Sequence, residues 1–263
     1  MIKALFFDID GTLVSFRTHT IPASTIEALT AAKARGLKIF IATGRPPVLI
    51  TNLGQLEEQN LIDGFVSMNG AYCFVDKEVI YKSYIDPHEV QTLAAYCDRL
   101  QIPCIVVGER DIAVSHSNEQ VNRIFHELLG VGFPIPPLTS PQELEGKEVY
   151  QLTPFLRAEQ EAEIRPQLAE CEFGRWHPAF LDLTARGNNK QRGIDIMAHY
   201  FGLSPQACMT FGDGGNDIPM LRHAGIGVAM GNATDEVRAA ADYITTTVDE
   251  DGILQALQHF DLI

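Results

Sequence analysis

Runs of apolar residues, and the polar stops that end them, divide the chain into alternating strands and helices. Residues 4–7 are Ala4, Leu5, Phe6 and Phe7, an unbroken apolar run of the kind that a strand buried on both faces of a parallel sheet produces, and the run ends in Asp8 and Asp10. Pro22 at a first helical turn predicts a helix over 23–35 with Gly36 just past its end. A second apolar strand over 37–42 stops at Thr43-Gly44-Arg45, before Pro46-Pro47 opens another helix. A third strand is expected at 64–68, and 71–75 with 79–83 reads as a hairpin about Asp76-Lys77.

The rhythm changes between about 84 and 186. There the pattern predicts a helix capped at Asp86-Pro87, short strands at 104–107 and 112–115, a helix over 117–129 and a proline-rich link at 133–137. A strand at 149–153, a helix over 158–170 and two strands at 171–176 and 180–184 follow. Alternation then resumes with a helix over 190–200, a strand at 207–211 and the polar, glycine-rich stretch 212–217. A short helix through Met220 and Leu221, a strand at 226–229 and helices over 234–241 and 252–259 complete the chain. This order predicts an α/β fold: a doubly wound, mostly parallel, Rossmann-like sheet built from 1–83 and 187–263, with an α+β domain inserted at 84–186. No internal repeat or low-complexity tract interrupts it.

Composition narrows the function classes. The 263 residues, 46% hydrophobic and 21% charged, can bury a full core. A formal net charge of −14 argues against bulk attraction to nucleic acid or an anionic membrane, so a phosphorylated substrate would need local help from a cation or a metal. The five cysteines are scattered, odd in number and without metal-ligand spacing, which fits small buried hydrophobes in a reducing compartment. The apolar run before Asp8 is too short for a signal peptide and nothing later approaches a membrane span, so a cytoplasmic protein is expected. The sequon at Asn232-Ala233-Thr234 means nothing without secretion, and the eight histidines show no ligand spacing.

The candidate chemistry lies where the apolar strands stop, because ligands of open α/β sheets bind at the carboxyl edge. Asp8 and Asp10 would point to opposite sides of a continuing strand, so bringing both onto one ligand requires the chain to leave β geometry at Ile9 or Asp10. Gly11 permits the turn and a close approach. Two carboxylates this near repel unless a cation relieves them, and a hard divalent ion such as Mg²⁺ suits such oxygen donors. The second strand delivers Thr43 to the same edge and the third cluster delivers Asp213, Asn216 and Asp217, with Lys190 opening a helix beside them. Carboxylates, a hydroxyl and an ammonium together are what phosphoryl transfer uses. Each residue alone also fits a plainer reading: Lys190 an exposed helix residue, Thr43 the N-cap of the following helix, Asp217 a cap of its own helix.

The DxDGTL run starting at Asp8, ATGR at 42–45, Lys190 and GDGGND at 212–217 resemble, in type, order and spacing, the four motifs of haloacid dehalogenase superfamily phosphatases of the Cof-type sugar-phosphatase branch. GVAMGNA at 227–233 is a further match. The resemblance implies Asp8 as the nucleophile that forms an aspartyl-phosphate, and Asp10 as the acid for the leaving alcohol and then the base for water. It implies Mg²⁺ on the Asp8 side chain, the Asp10 backbone carbonyl and Asp213, phosphate on Thr43, the Gly44 amide, Lys190 and Asn216, and Asp217 as the residue that orients Lys190 or a metal-bound water. Residues 84–186 resemble a type IIB cap, a lid that excludes water and selects the leaving group. Within it Trp176, His177, Phe180 and Asp182 are placed to contact a sugar or, equally, to pack the cap sheet, and Arg45 is level between a substrate contact and a salt bridge.

The expected activity is therefore Mg²⁺-dependent hydrolysis of small phosphorylated metabolites, hexose or pentose phosphates foremost. Two alternatives stand beside it: a sugar phosphomutase, which would return phosphate to the sugar, and a phosphate-binding module without turnover. A dehalogenase is disfavoured because halide departure needs no acid at Asp10.

Overall fold

In the computed structural model the first apolar run becomes β1 (Ala4–Phe7), buried at every residue. The structure describes residues 1–128, 130 and 134–263, without the side chains of His126 and Leu128. The later strands are β2 (Lys38–Ala42), β3 (Gly64–Ser67), β4 (Tyr72–Val75), β5 (Glu78–Lys82), β6 (Cys104–Val107), β7 (Ile112–Ser115), β8 (Gln151–Pro154), β9 (Cys171–His177), β10 (Phe180–Ala185), β11 (Cys208–Gly212), β12 (Ile226–Ala229) and β13 (Tyr243–Ile244).

Eight of them form one sheet in the order β13-β12-β11-β1-β2-β3-β4-β5, parallel from β13 to β3 and antiparallel across the β3-β4-β5 meander. Register aligns the functional ends: Phe7 stands opposite both Ile41 and Phe211, so the chain leaves β1, β2 and β11 at one level. Strand alternation sorts β1 onto two faces. Leu5 and Phe7 pack with the helices Ala23–Ala34 and Gly252–His259, whereas Ala4 and Phe6 pack with the helix Lys190–Tyr200. Ring stacks of Phe7 on Phe211 and of Phe6 on Phe40, each with centroids 4.6 Å apart, tie neighbouring strands on both faces. The sheet is thus doubly wound, as the pattern predicts.

The remaining strands form a separate antiparallel sheet, β7-β6-β8-β10-β9, with its own apolar cluster. The helix Pro87–Leu100 packs there, opened by Asp86, whose carboxylate accepts from His88 N at 2.9 Å. Among the described residues no helix is long and apolar enough to cross a membrane.

Four local expectations need correction. Pro46-Pro47 opens only a 3₁₀ turn, Pro47–Leu49, and the α-helix waits until Gly54–Glu58. The helix expected over 158–170 stops at Ile164 and passes into a 3₁₀ turn, Arg165–Gln167, since Pro166 has no N–H to continue it. The helix expected over 117–129 is an α-turn, Glu119–Asn122, continued as a π-helix, Arg123–Leu128; Leu129, like Phe133 of the proline-rich link, lies outside the described residues. The helix expected over 234–241 is the single turn Asp235–Arg238, and the two-residue edge strand Tyr243–Ile244 beyond it carries too short an apolar signal to be read from sequence.

Gly193 shows how tightly the Lys190–Tyr200 helix is seated on the sheet, because a Cβ added there would overlap Val66 Cγ1 of β3. Alanine is the better helix former by about 1 kcal/mol, yet overpacking a close helix–sheet contact costs roughly 1–3 kcal/mol. Gly193→Ala is therefore expected to lower the unfolding free energy in urea titration, and a stabilised variant would show that the helix moves away freely.

Candidate active site

Immediately after β1 the chain departs from extended geometry. Leu13 N and Val14 N both donate to Ile9 O, closing a loop that presents Asp8 and Asp10 together. Gly11 sits at φ +83° with the Asp213 carboxylate and the Phe16 ring where a side chain would be, so the turn requires glycine for backbone angle and for space alike.

Behind the loop lies a fully buried ammonium. Lys190 Nζ donates to Asp8 Oδ1 and to Asp217 Oδ1, both at 2.6 Å, and the lysine has no exposed surface. The plain reading of Lys190 as an exposed helix residue is thereby overturned. Asp217 is held from the other side as well: its Oδ2 accepts from Asp213 N at 3.0 Å and from Gly214 N at 2.9 Å. Burial pushes the Asp8 carboxyl up to about 7; the Lys190 ammonium opposes that rise, and the Asp217 and Asp10 charges add to it. Burial alone would lower Lys190, but the Asp217 and Asp8 carboxylates outweigh it and hold the ammonium above its ordinary range. Asp213 is raised well above the ordinary carboxylate range by burial and by the Asp8 and Asp217 charges. Its oxygens accept from Thr12 Oγ1 at 3.1 Å and Asn232 Nδ2 at 3.0 Å.

Asp10 is paired differently. Arg45 Nε and Nη2 reach its two oxygens at 2.7 and 2.5 Å, a bidentate clamp, while Nη1 donates to Leu49 O at 2.9 Å. Arg45 thus forms a salt bridge and lines the cavity as well. Thr43 does not cap a helix; its Oγ1 accepts from Arg45 N at 3.0 Å and tightens the loop after β2.

These loops and the tip of β9 enclose a cavity of about 270 Å³. Asp8, Asp10, Thr43, Gly44, Arg45, Asp213 and Asn216 line it from the parallel sheet's edge, with Trp176 and His177 opposite. Lys190, Asp217 and Asp182 stand behind that lining. Asp182 is saturated by protein donors: Gln151 Nε2 and Thr153 Oγ1 on one oxygen, Asn69 Nδ2 and Trp176 Nε1 on the other, at 2.7 to 3.2 Å. His177 Nδ1 accepts from Ala179 N at 3.1 Å, and burial, with Arg175 nearby, lowers its pKa. The imidazole thus stays neutral and carries its hydrogen on Nε2.

Asn232, Thr12 and Asn69 are site residues that the motifs did not identify. Asn232 belongs to the GNA match, where its sequon pattern points to no ligand, and Thr12 belongs to DxDGTL. Asn69 carried no local signal beyond the dipeptide Asn69-Gly70 in a polar stop.

A divalent cation fits this donor set. Oxygens of Asp8, Asp213 and Asp217 all lie within 4.8 Å of one another. Asp8 and Asp213 line the cavity, whereas Asp217 is fully buried behind it with its oxygens on Lys190 and two backbone N–H groups, which leaves Asp8 and Asp213 as the side chains able to serve a metal. Around the cavity four carboxylates (Asp8, Asp10, Asp213, Asp217) meet two cations (Lys190, Arg45), and both cations are spent on carboxylates. A phosphate dianion has no free positive side chain among these groups to meet it, and an added hard cation corrects that imbalance.

The fold and the site define a phosphotransferase-type α/β hydrolase with a second, covering sheet. The chain belongs to the haloacid dehalogenase-like hydrolases, whose family model matches residues 5–257. It is 58% identical to a solved sugar phosphatase of subclass IIB of that superfamily, over 99% of this chain and 100% of the other, with a TM-score of 0.96. A phosphatase of the superfamily from Bacteroides thetaiotaomicron is 37% identical, over 100% of this chain and 96% of that one, with a TM-score of 0.87. The candidate phosphatase YkrA of Bacillus subtilis (strain 168) is 33% identical over 263 residues, 99% of this chain and 98% of its own length. The protein is accordingly a phosphatase of the haloacid dehalogenase superfamily.

Asp182 supplies a pH test of the covering sheet. Burial raises its folded pKa from 3.8 to about 6 despite the hydrogen bonds from Thr153, Trp176 and Asn69. A carboxyl raised on folding favours the folded state when protonated, so its contribution is complete below pH 3.8 and is lost as pH rises through about 6. The difference in unfolding free energy between wild type and Asp182→Asn should therefore shift by roughly 2 kcal/mol between pH 4 and 7. Wild type is expected to be relatively more stable at the acid end; a pH-independent difference would contradict the assignment.

Proposed function

We propose that the protein hydrolyses small phosphate monoesters, hexose or pentose phosphates foremost, through an aspartyl-phosphate on Asp8. The observation that carries this reading is the Asp8 carboxylate itself: it is held at Oδ1 by a buried ammonium, it lines the cavity, and its other oxygen has no protein hydrogen bond among the described residues. In the first step Asp8 Oδ2 bonds to phosphorus as the bond to the leaving alcohol breaks, and that oxygen takes a proton from Asp10. Asp10, now a carboxylate, removes a proton from water whose oxygen attacks the phosphoryl group, releasing inorganic phosphate and freeing Asp8. Arg45 occupies both Asp10 oxygens in the arrangement described, so for each transfer one Asp10 oxygen leaves the guanidinium and turns to the reacting atoms.

Thr43, the Gly44 amide and Asn216 are positioned to donate to phosphate oxygens, and Lys190 offsets charge from behind Asp8. Mg²⁺ would be held by the Asp8 side chain, the Asp10 carbonyl and Asp213, where it would neutralise the carboxylates and polarise the phosphoryl group. Asp217 orients Lys190. Residues 84–186 act as a cap on a core of 1–83 and 187–263, and Trp176 with His177 meets the leaving group across the cavity. The 58% identical sugar phosphatase supports the sugar reading, and five free, buried cysteines support a cytoplasmic setting.

A phosphate-release screen over sugar phosphates, nucleotides and cofactor phosphates, with and without Mg²⁺, tests the substrate class. Asp8→Asn is expected to lower release by roughly 10⁴-fold or more with the circular dichroism unchanged, and chelation should abolish turnover in the wild type. Near-normal turnover by Asp8→Asn rejects the covalent route, and isomerised sugar phosphate in place of free phosphate identifies a mutase.

A further inference from the structure

Three consecutive residues after β3 occupy left-handed backbone: Met68 at φ 49°, Asn69 at 50° and Gly70 at 88°. Glycine does this freely, whereas a buried methionine and asparagine held there cost on the order of 1–3 kcal/mol each, and such strain gathers where function requires it. This turn supports the edge of the catalytic site. Met68 N and Ser67 Oγ donate to Arg45 O at 3.2 and 2.7 Å, and Asn69 N donates to Thr43 O at 3.0 Å. Gly70 approaches Asn189 O, at the start of the Lys190 helix, so closely that no side chain would fit.

The Asn69 side chain spans the two sheets. Its Nδ2 donates to Asp182 Oδ2 on β10 at 3.1 Å, and its Oδ1 accepts from Asn216 Nδ2, in the loop after β11, at 2.9 Å. The amide orientation follows from these partners, since reversal would face oxygen to a carboxylate and NH₂ to NH₂. The same Asp182 oxygen accepts from Trp176 Nε1 at 3.0 Å, and Trp176 lines the catalytic cavity. One buried amide thus joins the leaving-group side of the cavity to the phosphate side.

We propose that Asn69 is a positioning residue that couples the two: Asn216 and the Thr43 loop take up their phosphate-binding arrangement only while Asp182 and Trp176 are seated against the core. The proposal rests on the phosphatase reading above. Without the amide, Asn216 loses its acceptor, Asp182 loses a donor, and the indole shares the carboxylate oxygen that moves.

Two variants separate this from a structural role. Asn69→Gly tolerates the left-handed backbone and deletes the amide; Asn69→Asp retains an acceptor for Asn216 but sets a second carboxylate against Asp182. Trp176 is the only tryptophan in the chain, so its emission reports the seating without any turnover. Each variant is expected to keep native circular dichroism, to shift Trp176 emission, and to lose kcat/KM for sugar phosphates and inhibition by tungstate by roughly 10- to 100-fold. Values within twofold of wild type overturn the proposal, and so does lost activity with unchanged emission. Failure of both variants to fold also overturns it, because Asn69 would then be structural. If the wild type releases no phosphate from any monoester, the phosphatase reading fails on its own, while tungstate binding and Trp176 emission still decide the role of Asn69.

Discussion

One ammonium group holds the catalytic edge together. Lys190 Nζ lies without solvent contact between Asp8 and Asp217, and taking those three charges out of water costs several kcal/mol per ion before their attraction is counted. The arrangement holds because Asp217 is met on both oxygens, its Oδ2 receiving two backbone N–H groups, and because the helix that carries Lys190 is capped by Asn189, which accepts from Arg192 N. Losing the ammonium would leave two buried carboxylates facing each other, so the lysine sets both the stability of the loop after β11 and the orientation of Asp8. A buried ion pair is a poor source of stability compared with apolar packing. On the proposed mechanism its persistence is explained by what it does for Asp8, fixing one oxygen and leaving the other for attack.

The architecture makes that pair possible through register. Phe7, Ile41 and Phe211 stand level, so residues more than two hundred positions apart leave the sheet side by side. This much was legible in the amino-acid sequence, because a strand buried on both faces is a continuous apolar run and its end is marked by the first charged residue. Asp8, Thr43 and Asp213 could be placed at one edge from the alternation of elements alone. The pairing of side chains across that edge could not. Nothing near Arg45 distinguishes a substrate contact from a clamp on Asp10, and nothing near Lys190 shows that its helix start is buried, since both depend on partners that only the folded chain supplies. Asn69 was illegible for a related reason: its importance lies in a strained turn and in partners on two other segments, at positions 182 and 216. The helix expected after Pro46-Pro47 failed because proline marks a permitted start without supplying the amphipathic face that would sustain one.

The covering sheet contributes chemistry by removing options. Asp182, which its place in the expected cap nominates as a sugar-binding carboxylate, accepts four hydrogen bonds from its own surroundings, one of them from the indole nitrogen of Trp176. His177 is likewise fixed in one tautomer by the Ala179 amide and stacked on Phe180, with ring centroids 5.0 Å apart. What faces the cavity from this side is therefore an aromatic surface with a neutral imidazole, and no net charge. Discrimination among leaving groups would rest on shape and stacking.

The acidity of the chain sharpens the electrostatic problem that the site solves. A net charge of −14 repels a phosphate dianion at long range, but that field is screened beyond about 8 Å at physiological ionic strength, so capture is decided locally. Locally the two cations are already committed, Lys190 to Asp8 and Asp217 and Arg45 to Asp10. Backbone N–H groups and the Thr43 hydroxyl give direction without full charge. The burial that raises Asp8 and Asp213 therefore makes the same pocket hostile to an anion alone and receptive to an anion that arrives with a divalent cation. Metal and substrate each reduce the cost of burying the other's charge, and on that argument their affinities rise together.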